Sequence, residues 1–234
     1  MQRLADRVFS ITRFQTNIYV IDTGGGLALV DTHFSPGVIG ILEKELPPHG
    51  FRLNQISHIL ITHAHFDHVG GLAALQNTIN ARTLAHRLDA PIVRGEQPVI
   101  YPRPAELTGI SWVMSHFLAA TATPARVDAE LKEGDKLDEI LPGLQVVELP
   151  GHTYGQIGLW WPEKRLLIGG DVMMHLPWGL SVPVRAASPD WPAVKQSIRK
   201  VAGLEVDVLG LGHGSPIVGG ASAKVQELAQ KLKS

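Results

Sequence analysis

Residues 61–71 read ITHAHFDHVGG, which sets His63, His65, Asp67 and His68 within six consecutive positions, between an apolar run and two glycines. No other feature constrains the fold as much. The run before the cluster, ISHILIT (56–62), is short, apolar and rich in β-branched residues, so it reads as a buried strand that delivers the cluster at its C-terminal end. His63 and His65 stand two apart in an extended loop, and both side chains can turn toward one centre. Asp67 and His68 are adjacent and enter a helix, from which they can diverge toward a second centre. Imidazole nitrogens combined with carboxylate oxygens suit borderline divalent ions such as zinc, manganese and iron.

The rest of the chain repeats the same device. LPGHTYG places His152 just past a strand, LLIGGD ends another strand on Asp171, and LGLGHGSP ends a third on His213. Each is a polar tip on an apolar run bounded by glycine, which lets the backbone turn sharply and approach a site closely. Strand-end ligands of this kind converge on one sheet edge.

Composition sets the outer bounds. The chain has 234 residues, 44% hydrophobic and 18% charged, enough for one large domain or two fused halves with a sizeable core. A formal net charge of -1 gives no electrostatic case for nucleic acid or an anionic membrane as partner. With no cysteine there are no disulfides, thiolate ligands or thiol nucleophiles. The N-terminal segment lacks the apolar core and cleavage site of a signal peptide, and no stretch reaches transmembrane length uninterrupted. A cytoplasmic, non-membrane protein is expected.

The pattern predicts strands over 8–14, 17–23, 27–32, 56–62 and 80–86, with a helix opened by Ser35 and Pro36 and stopped by Pro47. Val69, Leu72, Ala73 and Leu75 continue the motif as a helical face. Residues 106–121 read as a covering helix, or as a lid or dimer contact supplying Trp112, Met114 and Phe117. Beyond Asp135 come strands at 144–150, QIGLWW, RLLIGGD and 206–212, then helices over 191–201 and 221–232. Two strand layers with helices outside is the simplest packing for such an α+β chain. The expectation is a single domain over 1–234 in two pseudo-equivalent halves, about 1–130 and 135–234.

Together, HxHxDH and the downstream His, Asp and His resemble the metallo-β-lactamase fold superfamily of metallohydrolases, along most of the chain. The resemblance implies an αββα four-layer sandwich with a binuclear metal centre at one edge of the two sheets. It implies that His63, His65 and His152 bind one metal, that Asp67, His68 and His213 bind the other, and that Asp171 bridges. Asp31, in LALVDTH, matches an acidic position near the site and is expected to organise ligands rather than bind metal. Two divalent ions are implied, zinc first, with iron or manganese as alternatives. A metal-bound hydroxide would attack a carbonyl or phosphorus, with Asp67 and Asp171 as the catalytic carboxylates.

Departures narrow the branch. The missing cysteine separates the chain from β-lactamases that use a cysteine ligand, and the doubled Asp67–His68 resembles the glyoxalase II-like and lactonase-like branches. Only 21 residues follow His213, too few for the helical domain that glyoxalase II uses to hold glutathione. GGDVMMHLPWG lacks the tyrosine that N-acyl homoserine lactonases place after the bridging aspartate. Residues 172–184 could wall an apolar pocket with Met173, Met174, Leu176, Pro177 and Trp178. The predicted function is hydrolysis of a small ester, lactone or thioester, with a small molecule as partner and a homodimer through 106–121 as a further expectation. The alternatives are a mononuclear iron dioxygenase acting on a persulfide, through His63, His152 and Asp171, and a non-catalytic metal-binding module.

Overall fold

The computed structural model describes residues 1–115 and 120–232. Strands β1 (Gln2–Ala5), β2 (Val8–Arg13), β3 (Thr16–Asp22) and β4 (Leu27–Val30) open the chain. Helix α1 (Val38–Glu45), strand β5 (Ile56–Ile61), helices α2 (Phe66–Val69) and α3 (Leu72–Thr78), strand β6 (Arg82–His86), helices α4 (Ala90–Val93) and α5 (Gly109–Ser115), and strand β7 (Ala129–Leu131) follow. These seven strands form one sheet in sequence order, antiparallel from β1 to β4 and parallel from β4 to β7.

The remaining residues supply β8 (Gln145–Glu148), β9 (Ile157–Trp161), β10 (Leu166–Ile168), β11 (Met174–Leu176), β12 (Gly179–Ser181), helix α6 (Trp191–Gly203), β13 (Val208–Gly210), β14 (Ile217–Val218) and helix α7 (Ala221–Lys231). A second sheet runs in the order β14-β13-β10-β9-β8, and β11 with β12 is a separate hairpin. Each sheet therefore comes from one side of residue 135.

Side chains alternate faces along a strand, and both faces here are apolar. On β3, Tyr19 and Ile21 point between the sheets, where they meet Leu60, Leu84, Leu159, Ile168 and Val208. Ile18 and Val20 point the other way, onto a layer with Val38 and Leu42 of α1 and Leu72 and Leu75 of α3. On β10, Leu167 faces outward to Val194, Ile198 and Val201 of α6 and Val225 of α7. Three apolar layers thus separate helix, sheet, sheet and helix, the αββα sandwich.

Local differences from the sequence reading have physical causes. Helix α1 begins at Val38, not near Pro36, because the Ser35 hydroxyl accepts from the Gly37 N–H (3.2 Å) and closes a turn first. The motif helix breaks into α2 and α3 at Gly70–Gly71. A Cβ on Gly71 would stand 2.3 Å from the Thr32 carbonyl oxygen, so only glycine lets the turn pack against residues 32–35. At α6 the cap is Asp190, whose carboxylate accepts from the Ala193 N–H at 3.0 Å. Of the helix expected over 106–121, α5 is seen, while Phe117 lies outside the described residues. Among the described residues no helix is long and apolar enough to cross a membrane.

Candidate metal centre

β5 is buried on both faces and parallel to its neighbours, so the chain leaves it at the C-terminal edge of the sheet, where His63, His65, Asp67 and His68 follow. The second sheet faces that edge with His152 after β8, Asp171 after β10 and His213 after β13. The structure brings all seven predicted residues together. Their ligand atoms form three groups, each within 4.8 Å: His63, His65 and His152; Asp67, His68 and His213; and His63, His68 and Asp171. Asp171 lies between the first two. Its Oδ2 is 3.4 Å from His152 Nε2 and 3.2 Å from His213 Nε2, and its Oδ1 is 3.6 Å from His68 Nε2. Glycine makes this approach feasible, since a Cβ on Gly212 would stand 1.9 Å from Asp171 Oδ1.

Three of the six buried side-chain polar atoms without a hydrogen-bond partner among the described residues belong to this cluster: His63 Nε2, His65 Nε2 and Asp171 Oδ1. Leaving such atoms unsatisfied costs about 1–3 kcal/mol each, so their occurrence on three residues of one cluster, where His65 turns Nδ1 to within 2.9 Å of His152 Nε2, fits a site built for cations. The donor set, five imidazoles and two carboxylates, is that of zinc, iron or manganese.

The two triads differ electrostatically. Burial lowers the His63, His65 and His152 imidazoles, His65 to about 3 and His152 to about 4, so all three are neutral bases at pH 7. Burial would lower His68 too, but the Asp67, Asp31 and Asp171 carboxylates overcome it and raise His68 to about 9. At His213 burial is likewise outweighed, chiefly by Asp171 and Asp67, and the ring rises to about 11. Burial alone would raise Asp67, yet His68 and His213 bring it down to about 2. Asp171 is also held well below the carboxylate range, burial being outweighed by His213 and His68.

A surrounding layer orients the rings. Asp31, buried and with φ +62°, accepts from His68 Nδ1, Thr62 Oγ1 and Thr62 N, each at 2.8 Å. Its left-handed backbone is a strained conformation for a non-glycine residue, and the three hydrogen bonds fix it in the ligand-organising place the sequence suggested. Ser188 Oγ donates to the Val184 carbonyl (2.8 Å) and so accepts from His152 Nδ1 (3.0 Å), leaving His152 Nε2 with its lone pair toward the centre.

Sequence reasoning missed two residues here. Asp89 is 1% exposed; its Oδ2 accepts from Ala64 N and Thr153 Oγ1 (both 2.8 Å) and its Oδ1 from Gly155 N (2.9 Å). It ties the His63–His65 loop to the His152 loop. In HRLDAP it reads as an ordinary cap before a helix-opening Pro, and it does occupy the cap of α4, but its side chain caps nothing there. Tyr101, from the proline-rich stretch, stacks on His65 with ring centroids 5.5 Å apart and planes 5° from parallel. Burial and then the Asp67 carboxylate raise its phenol, which stays neutral.

Of the residues suggested from 172–184 as an apolar wall, two lie elsewhere. Met173 is fully buried in the outer core of the second sheet, and Trp178, at the β11–β12 tip, lines a cleft with Lys224 and Leu228 of α7. His175 Nδ1 donates to the Ser215 carbonyl at 2.6 Å, a structural use of the ring.

Comparison with known proteins agrees with this geometry. The model of the metallo-beta-lactamase superfamily matches residues 11–213. The probable metallo-hydrolase YflN of Bacillus subtilis is 27% identical, over 98% of this chain and 92% of its own length. A hydroxyacylglutathione hydrolase of Cereibacter sphaeroides is 29% identical over 73% of this chain, but the match spans only 51% of that enzyme. A metallo-beta-lactamase family protein of Thermus thermophilus shares the fold, with a TM-score of 0.73, 24% identity, and coverage of 99% of this chain and 79% of the other. The adjacent second triad gives the mononuclear dioxygenase alternative no support.

Proposed function

The chain belongs to the metallo-beta-lactamase superfamily, and from that premise we propose that it hydrolyses small esters, lactones or thioesters at a dinuclear centre. The observation that carries the reading is Asp171 Oδ2, within 3.4 Å of His152 of one triad and 3.2 Å of His213 of the other. In this reading His63, His65 and His152 hold one ion, Asp67, His68 and His213 hold the second, and Asp171 is shared. Zinc is the proposed metal, with iron and manganese compatible with the same donors. Such a pair supplies, when bound, a water of lowered pKa and a positive clamp for an oxyanion.

The chain's own groups do the rest. The three neutral imidazoles of the first triad accept an ion without first losing protons. Asp67, ionised well below neutrality and 3.1 Å from His213 Nε2, can orient the attacking water as a hydrogen-bond acceptor. Asp31 and Ser188 fix the tautomers of His68 and His152 so that each Nε2 faces inward. No covalent acyl-enzyme step is required, in keeping with the absence of cysteine. The relative named as a hydroxyacylglutathione hydrolase supports acyl chemistry of this kind, though the match spans half of it.

The test is metal counting with turnover. Protein purified anaerobically should carry close to two ions per chain and hydrolyse members of a panel of p-nitrophenyl esters, lactones and acyl thioesters. A chelator should abolish turnover and zinc should restore it. One iron per chain, with oxygen consumed on a persulfide, would overturn the reading. A small-molecule partner rather than nucleic acid or membrane, a cytoplasmic location and a homodimer through α5, which exposes Ile110 and Val113, belong to the same proposal. Light scattering checks the dimer.

A further inference from the structure

Side chains alternate along β3, so Asn17 shares the face that looks at the second sheet with Tyr19 and Ile21. Those two are core, whereas Asn17 is a fully buried primary amide at the metal-side end of the strand. A buried carboxamide is costly unless its hydrogen bonds are made. Its partners lie 194 and 197 residues away: Nδ2 donates to the Leu211 carbonyl at 2.8 Å and to the Gly214 carbonyl at 2.6 Å. These two carbonyls bracket His213. The Asn17 N–H donates to the Gly212 carbonyl between them, at 2.8 Å.

Carbonyl oxygens only accept, so both Nδ2 hydrogens are committed and the amide can face one way only. Its Oδ1 accepts from Thr12 Oγ1, the cross-strand neighbour on β2, at 2.6 Å. The Gly214 N–H adds a bond to the Gln15 carbonyl at 2.9 Å, and the Tyr19 hydroxyl donates to the Leu211 carbonyl at 2.5 Å. The loop of His213 is thus fastened to the β2–β3 hairpin on both sides of the histidine.

This fastening matters more for His213 than it would for the other rings. His63, His68 and His152 each have a side chain at Nδ1, from Thr62, Asp31 and Ser188. Among the described residues, His213 Nδ1 has no hydrogen-bond partner. Its ring is therefore aimed through its backbone, with Nε2 3.1 Å from Asp67 Oδ2 and 3.2 Å from Asp171 Oδ2.

We infer that Asn17 is the positioning residue of His213 and, through it, of the second metal position. The inference rests on the dinuclear reading above for what His213 holds. It puts control of that position in the N-terminal hairpin of the first sheet, although His213 itself follows a strand of the second.

Stepwise cobalt addition with chelator competition tests it, together with imidazole NMR spectra of the metal-free protein. Asn17→Ala should weaken the second ion about 10- to 100-fold, as loss of a partner behind a ligand does, and leave the first unchanged. In the metal-free protein it should shift the His213 ring resonances and leave those of His63, His65 and His152 in place. Thr12→Val, at a half-buried position, removes only the donor that orients the amide. It should weaken the second ion about two- to tenfold, the worth of one neutral hydrogen bond, and it decides the matter if the alanine variant does not fold. Equal weakening of both ions, unaltered binding of the second, or His213 resonances that stay in place would overturn the inference. Wild-type protein that takes up no second cobalt would overturn the dinuclear reading instead, and the His213 resonances of the metal-free variants would then decide by themselves whether Asn17 aims the ring.

Discussion

The two triads face each other across Asp171, yet they are built in opposite ways. His63, His65 and His152 are buried, neutral and held by uncharged partners: the Thr62 and Ser188 hydroxyls and the Tyr101 ring. His68 and His213 are raised to about 9 and about 11, with Asp67 and Asp31 beside them, and His213 and Asp67 reach solvent. The first triad is a preformed base pocket, while the second is an ion-pair cluster in which a metal ion must displace protons. The difference teaches that a dinuclear site need not load as a unit. On the proposed ligand assignment, the first position would be ready at neutral pH and the second would have to lose protons to load.

The sharpest way to break this comparison is to remove the residue both sides share. Asp171→Ala should lower kcat/KM by about 10³-fold or more, the several kcal/mol that paired cations contribute, and should leave fewer than two ions per chain by mass spectrometry. A variant that kept both ions and full turnover would end the bridging assignment.

Next come the two buried carboxylates, which should separate the triads. Asp31 accepts from His68 alone among the proposed ligands, and Asp89 braces the loops of His63, His65 and His152. Loss of a partner behind the ligands typically costs about 10- to 100-fold in metal affinity. Asp31→Asn should weaken the second ion more than the first, which Asp31 reaches only through Thr62, and Asp89→Asn the first only, read by chelator competition with cobalt. Equal weakening of both ions in either variant would mean the triads are not independent.

The proton gate gives a smaller, graded effect. Below the folded values of His68 and His213 the protonated rings compete with the metal, so affinity for the second ion falls as pH falls. The change is about tenfold per pH unit for each proton displaced. Between pH 6 and 8 the first triad, neutral throughout, should show no such slope. Protons released into a weakly buffered indicator during stepwise zinc addition would appear with the second equivalent; release with the first would reverse the order.

The same contrast explains what could be read from the amino acids. His63, His65, Asp67 and His68 sit in one loop, so local spacing reveals them. His152, Asp171 and His213 are each alone on a strand end, and only their shared glycine-bounded pattern suggests a common site. Asp31 was legible from its strand end. Asp89 was not, because its hydrogen bonds reach residues 25 and 64–66 positions away and its local sequence fits a helix cap equally well. Tyr101 follows Pro98 in a stretch with no periodicity, so nothing local showed that it would lie on His65. Layering was legible because β3, β5 and β10 alternate apolar side chains onto two buried faces. The β11–β12 hairpin, with strands of three residues, was too short to reveal which side chains face in.

The mildest probe bears on whether neutral support matters at all. Ser188 accepts from His152 Nδ1 and passes its own proton to Val184, so Ser188→Ala removes one uncharged acceptor and nothing else from the first triad. A neutral hydrogen bond is worth about 0.5–1.5 kcal/mol, or roughly 2- to 10-fold in affinity for the first ion. The loss should appear without any change at the second ion or in the protons it releases. If the alanine variant instead lost affinity as steeply as Asp89→Asn, the tautomer of His152, and not the spacing of its loop, would be the main control on the first position. If it lost none, burial alone would suffice to keep the ring neutral and aimed, and Asp89 would carry the positioning of that triad by itself.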